Sequence, residues 1–333
     1  MFDNGSDTRW RIAENRLGNI LRAHIVAQSR TLEQKISDSG PINQRIDPHV
    51  LTEVRNILVD REEIICQPRN TGNWFFLKSV PVHLVQQRLK EQEQILKSMK
   101  RSKNFGKRVG QCLEIAIFRS LPLQSEFEFF GRFKNLEEHD DSVLYEKEEP
   151  PQSISERSLP GDERLDFLVN SREGGWGGIE AKNVREWIYP DRDEIRKLLR
   201  NCIDLDCVPI LIARRIPFVT FFVLSKCGVI FHQTYNQLLP SSEKELAEKI
   251  KDKHLLGYHY IRLGNTPDAR LQKFFSENLP KIFSDARYRF EKYKDLLNDF
   301  AYENVPYKEF SARVRRRYHG TNEDHDWDDN PVY

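Results

Sequence analysis

Two carboxylates and a lysine stand at a spacing that suits hydrolysis: Asp166, then thirteen residues, then Glu180-Ala181-Lys182. The stretches 163–170 (ERLDFLVN) and 177–183 (GGIEAKN) read as strands about a Gly-rich turn. If they pair as a hairpin centred on residue 173, Asp166 and Glu180 are equidistant from the centre and face one another. Strand alternation puts Glu180 and Lys182 on one face and Ile179 and Ala181 on the other. Two carboxylates that close repel unless a cation lies between them, and an all-oxygen site suits a hard ion, Mg²⁺ with Mn²⁺ as its substitute. An ammonium two residues beyond can orient a water or stabilise charge developing on a phosphoryl oxygen. The helix expected over 107–121 buries Val109, Cys112, Leu113, Ala116 and Ile117. It leaves Glu114 at the edge of that stripe, in reach of the ion directly or through water. The expected catalytic set is therefore Asp166, Glu180, Lys182 and Glu114, with the three carboxylates as metal ligands.

Over about residues 105–235 this arrangement resembles the PD-(D/E)XK nuclease superfamily, which includes restriction endonucleases and Holliday-junction resolvases. The resemblance implies that Asp166 and Glu180 bind a divalent metal, that Lys182 assists the attacking water, and that Glu114 is an additional ligand. Leu165 stands where the family's name-giving proline would be, so the Asp166 assignment rests on the strand pattern RLDFLV. The implied fold is α/β, restriction-endonuclease-like, with a mixed central sheet flanked by helices. The implied activity is metal-dependent hydrolysis of phosphodiesters, in duplex DNA above all, with restriction or defence as its setting. RNA or branched DNA is an alternative substrate. The competing class is a DNA-binding regulator whose α/β domain is not catalytic.

The flanking elements predict how the site is carried. Residues 9–28, 31–37 and 47–60 read as helices, the last opened by Asp47-Pro48, and IICQP (64–68) and NWFFL (73–77) as two strands joined by a turn. Three helices and a two-stranded wing suggest a winged-helix domain over 1–79, binding DNA or a partner. Arg55 and Asn56 on the third helix, with Arg61 beside it, and Arg69 and Asn70 on the wing are its expected nucleic-acid contacts. A helix at 81–100 forms a connector over 80–104. It runs into KRSKNFGKR, with five basic residues between Lys100 and Arg108. The nuclease-like domain spans 105–300, with an acidic excursion from Leu136 to Pro151, a helix over 191–206 opened by Asp191, and buried strands at 208–214 and 219–224. Asn183 and Arg185 after the hairpin, and Arg196 and Lys197 on the next helix, are further expected nucleic-acid contacts. Trp187 and Tyr189 either meet nucleic acid or pack beneath that helix. A basic then acidic tail fills 301–333.

Composition bounds the rest. The 333 residues fit about two domains, and 38% hydrophobic content with 20 Phe excludes wholesale disorder. The net charge of +1 says nothing for or against nucleic acid, so charge distribution must decide that question. Five cysteines without CxxC pairs read as buried apolar residues. His232 and His259 read as ordinary core or surface histidines. No apolar run reaches the length of a membrane span, and the first ten residues lack a secretory pattern, so the expectation is a cytoplasmic protein with no membrane partner and room for a homodimer.

Overall fold

Apolar residues at helical spacing start the chain: α1 (Asn4–His24) buries Ala13, Leu17 and Leu21. The helix stops where Ile25 takes the left-handed conformation at φ 68°. The next residues form a short strand, β1 (Ala27–Gln28), where the sequence suggested continued helix. The structure, a computed structural model, describes residues 4–37, 46–99, 103–122, 126–134, 136–138 and 141–321. The chain divides into two units, one of Met1–Gly106 with Glu243–Leu263, the other of Lys107–Ser242 with Gly264–Tyr333.

In the first unit α2 (Ser29–Ile36) and α3 (Pro48–Asp60) add Leu32, Ile36, Leu51, Val54 and Leu58 to the α1 core. Pro48 fits the first turn of α3, where an amide N–H has no partner to lose, although the Asp47 carboxylate makes no capping bond. The hairpin of β2 (Ile64–Arg69) and β3 (Gly72–Leu77) covers this core, and β1 joins β3 with Ala27 opposite Phe75, giving the order β1-β3-β2. Helix α4 (Val82–Met99) follows, and its buried Gln92 amide donates to the Val26 carbonyl at 3.1 Å.

The second unit begins in α5 (Lys103–Arg119) and centres on a five-stranded mixed sheet. Its strands are β4 (Phe127–Phe130), β9 (Phe167–Ser171), β10 (Gly175–Lys182), β11 (Val208–Ala213) and β12 (Ile230–Gln233). The short pairs β5 (Arg132–Phe133) with β6 (Lys147–Glu148), and β7 (Ser153–Ile154) with β8 (Arg157–Ser158), lie between β4 and β9 in sequence. The order is β12-β11-β10-β9-β4, parallel from β10 to β12 and antiparallel at β9 and β4. Alternation sends Phe167, Val169, Ile179, Ile210 and Ile212 into the core shared with α5. Leu168, Leu211 and Ala213 enter the opposite core with α6 (Asp193–Leu205). Helix α6 is preceded by Arg192, and Asp191 does not cap it.

The stretch 219–224, expected as a strand, is helical: α7 (Phe218–Leu224) leaves Phe218 74% exposed and buries Thr220, Val223 and Leu224. Its apolar content has strand propensity, but its buried positions follow helical spacing, and tertiary packing prevails over propensity. After β12 the chain contributes α8 (Lys244–Lys251) to the first unit, where the Tyr258 hydroxyl donates to Gln28 Oε1 at 3.2 Å. It returns as α9 (Ala269–Lys273), α10 (Leu279–Ala301) and α11 (Tyr307–His319) of the second. Part of the basic run (100–102), residue 135, part of the acidic excursion (139 and 140) and the tail from 322 lie outside the described residues. No described helix is long and apolar enough to cross a membrane.

Candidate active site at one end of the mixed sheet

The β9–β10 ladder pairs Phe167 with Ile179, and one further step brings Asp166 opposite Glu180, the register expected from the sequence. Asp166 is fixed there by its own backbone N–H, which donates to the Ile179 carbonyl at 3.0 Å. Its Oδ2 accepts the Ala181 N–H at 2.6 Å. Glu180 projects toward the α6 side of the sheet, in register with Leu211. A close strand–helix approach makes this possible. A Cβ on Gly178 would lie 2.5 Å from Leu165 Cδ1 and 2.9 Å from Cys202 Sγ, so only glycine fits there.

Two ion pairs flank Asp166. Glu180, 6% exposed, accepts from Lys182 Nζ at 2.5 Å. Glu114 of α5 accepts from Lys147 Nζ of β6 at 2.6 Å, and the Lys147 ammonium also lies 4.9 Å from the centroid of Phe167. Burial, and then the charge of Asp166, lifts both Glu114 and Glu180 to about 7. Burial opposes protonation of Lys147 and Lys182, but the charges of Glu114 and of Glu180 respectively, each joined by Asp166, outweigh it and raise both ammonium groups above their ordinary value. The result is an alternating cluster of three carboxylates and two ammoniums at the carboxyl end of β10.

The donors suit a hard divalent cation in kind, since all are carboxylate oxygens at a place where negative charge is crowded. In the present arrangement each glutamate is turned to its lysine. Among the described residues, no group of three or more His, Cys, Asp or Glu is gathered closely enough to hold a metal ion. A cation held by Asp166, Glu180 and Glu114 therefore requires the two lysines to swing away.

Lys147 was absent from the expected site. It lies in a two-residue strand inside the acidic excursion, where neither period 2 nor period 3.6 is present to orient it. Replacing it with Met should strand Glu114 as a buried unpaired carboxylate and cost about 2–4 kcal/mol at pH 8. The cost should shrink toward pH 5 as Glu114 protonates. Urea midpoints of the two proteins at both pH values test this, and equal losses at pH 5 and 8 would refute it.

The expected nucleic-acid contacts are distributed unevenly. Asn183 is buried: its amide donates to the Val109 and Leu238 carbonyls and its Oδ1 accepts the Leu238 N–H, so it braces the core instead of facing a ligand. Arg55 is 9% exposed, with its guanidinium 5.0 Å from the Phe75 centroid. The exposed residues of α3 are His49, Thr52, Glu53, Asn56 and Asp60, a face with more acid than base. Arg69 is half-buried, donates to Gln86 and lies 3.8 Å from Glu93. Arg196 pairs with Glu303 at 2.8 Å and Lys197 with Glu163 at 2.6 Å. Arg185 is half-buried and its carbonyl accepts from Arg214 at 2.5 Å. His232 is half-buried beside Phe274 and held neutral to about pH 4 mainly by desolvation, and His259 is exposed.

Comparison of the chain with protein-family models, with curated proteins and with solved structures returned no match.

Proposed function

We propose that this chain is a divalent-metal-dependent nuclease of the PD-(D/E)XK type that hydrolyses phosphodiesters in duplex DNA. The observation that carries the reading is Asp166 flanked by the Glu180–Lys182 and Glu114–Lys147 pairs at the end of a mixed sheet. Asp166 and Glu180 would hold the ion, with Glu114 as a third donor. Once bound, the ion would lower the pKa of a coordinated water and screen the anionic diester. Lys182, released from Glu180, would donate to the phosphoryl oxygen on which charge grows. Asp166, tied to the Ala181 N–H, keeps its orientation through this exchange of partners.

The helix–strand–helix–helix–strand–strand order from α1 to β3 supports a winged-helix reading of that part of the first unit. The mixed, acid-rich face of α3 supports a role in binding a protein partner better than one in reading DNA. Recognition of the nucleic acid then falls to the second unit.

Incubation of the full-length protein with duplex DNA in Mg²⁺, Mn²⁺ or EDTA tests the reading. Cleavage is expected with either metal and not with EDTA, and Asp166→Asn should reduce it about 10³-fold while leaving the thermal midpoint close to wild type. Absence of metal-dependent fragments would favour the regulator reading, in which the closed ion pairs are structural.

A further inference from the structure

Helix α7 turns Thr220, Val223 and Leu224 inward and leaves Phe218, Phe221 and Phe222 exposed. The rings of Phe218 and Phe222, one helical turn apart, stack with centroids 5.2 Å apart and planes inclined by 29°. Lys226, in the turn that follows, places its ammonium 4.1 Å from the Phe222 centroid and 3.9 Å from that of Tyr318 on α11. The Tyr307 hydroxyl of α11 donates to the Val219 carbonyl at 3.2 Å and so ties the two helices together. No acidic residue occurs between Phe218 and Gly228. Helix α11 carries five Lys and Arg against Glu309 alone, and of these Arg313 and Arg317 pair with Asp299 and Asp295. Arg315 is exposed. Burial, and then the charge of Arg315, holds the Lys226 ammonium below its ordinary value, and among the described residues no carboxylate acts on it.

We infer that Phe218 and Phe222, with Lys226 and Arg315 at one end of their row, form a stacking surface for an unpaired stretch of the nucleic-acid strand. The inference rests on the nuclease reading for its setting and narrows the substrate to a duplex that carries a single-stranded tail. Every base has a π-face, so exposed rings accept any sequence, but only bases that are not already stacked within a duplex can reach them. The unopposed cations suit the backbone of such a strand. Area decides against a second copy of the chain as the occupant. At about 150–250 Å² per whole aromatic side chain, the exposed parts of Phe218, Phe221, Phe222 and Tyr318 offer roughly 400 Å², about half of what one partner gives to a stable interface. Position supports the match, because α7 begins at the end of the sheet that carries the carboxylates. Lys182 stands beside Ala213 in the ladder, and Phe218 follows Ala213 by five residues. The Thr220 hydroxyl donates at 3.0 Å to the carbonyl of Ile188, in the segment that leaves β10 after Lys182. The backbones of Lys182 and Phe218 are therefore no more than roughly 23 Å apart, which at about 3.4 Å per phosphate is seven nucleotides or fewer.

Fluorescence anisotropy in EDTA, which measures binding without cleavage, compares a labelled blunt 20-base-pair duplex with the same duplex bearing a 10-nucleotide tail on its 5′ or its 3′ end. The full-length protein should bind one of the tailed duplexes about 10-fold more tightly than the blunt one. Phe218→Ala and Phe222→Ala should each remove most of that preference and leave affinity for the blunt duplex unchanged, whereas Phe218→Trp should retain it. Arg315→Ala should reduce the slope of log K against log salt for the tailed duplex by about 0.7. Phe218 is 74% exposed, so its variants should keep the wild-type thermal midpoint. Equal wild-type affinity for tailed and blunt duplexes, or an undiminished preference in the Phe218→Ala, Phe222→Ala double variant, would overturn the stacking surface. So would a peptide rich in Asp and Trp that displaces the tailed duplex and binds more tightly through the same rings, an outcome that assigns the face to an acidic protein partner. Failure of the underlying activity looks different: a tail preference that the Phe variants abolish, with no metal-dependent cleavage by the wild type, keeps the stacking surface and removes the nuclease.

Discussion

Replacing Glu180 by Gln should stabilise the protein at pH 8 by about 1–2 kcal/mol and, under the nuclease proposal, abolish metal-dependent cleavage. The carboxyl is lifted from 4.5 to about 7 by burial and by Asp166, so between those values the folded state holds a proton that the unfolded state has lost. Stability therefore falls as pH rises through that window, and the cost is fully present above about pH 7. At 1.36 kcal/mol per unit the net rise, in which the Lys182 contact is already counted, corresponds to about 3 kcal/mol, and the buried Gln amide, which must find partners of its own, takes back part. Below about pH 4.5 both states are protonated and the advantage of Gln should vanish. Urea unfolding in EDTA at pH 4.5 and 8 measures the difference. A variant less stable than wild type at pH 8 would mean that the Glu180–Lys182 pair outweighs the burial of its charge. Glu114→Gln should follow the same sign, and because both glutamates sense Asp166 the double variant should gain less than the sum.

The largest loss of stability should follow Gly228→Ala. Gly228 sits at φ 84°, and a Cβ there would lie 2.3 Å from the Ala286 carbonyl oxygen and 2.5 Å from the Phe290 nitrogen. Both are backbone atoms of α10, so no rotamer change relieves the clash. The left-handed conformation costs about 1–2 kcal/mol and the overpacking about 1–3 kcal/mol more. A total near 3–4 kcal/mol should lower the denaturation midpoint well below that of wild type. An unchanged midpoint would show that α10 shifts freely at this point. This turn packs on the core that faces α6 and α10, the side of the sheet toward which Glu180 also projects.

Much of the site was legible because its signals are local. The centre of the β9–β10 hairpin follows from the Gly-rich turn and the alternation around Asp166 and Glu180, and the ladder has that register. Glu114 at the edge of an apolar stripe follows from helical periodicity alone. Lys147 was not legible, since it lies in a two-residue strand with no pattern of its own and meets Glu114 from a segment distant in sequence. Burial of polar residues was equally hidden. Asn183 and Arg55 look like exposed ligands in a string of letters, yet core carbonyls and the Phe75 ring claim them. Helix α7 is hidden in the sequence because FVTFFVL carries strong strand propensity and too few residues to display helical periodicity.

The return of residues 243–263 to the first unit has a consequence for biosynthesis. A ribosome that has made α1 to α4 must add the whole stretch from Lys107 to Ser242 before α8 and Tyr258 emerge. At about 5–20 residues per second this takes roughly 7–27 seconds. During that interval the amino-terminal unit lacks a helix and one of the two partners of the Gln28 side chain, while the second unit still awaits α9 to α11. The chain therefore cannot mature strictly from its amino terminus. Nascent chains arrested before Glu243 should remain protease-sensitive in both units, and residues 1–106 should not behave as a transplantable module.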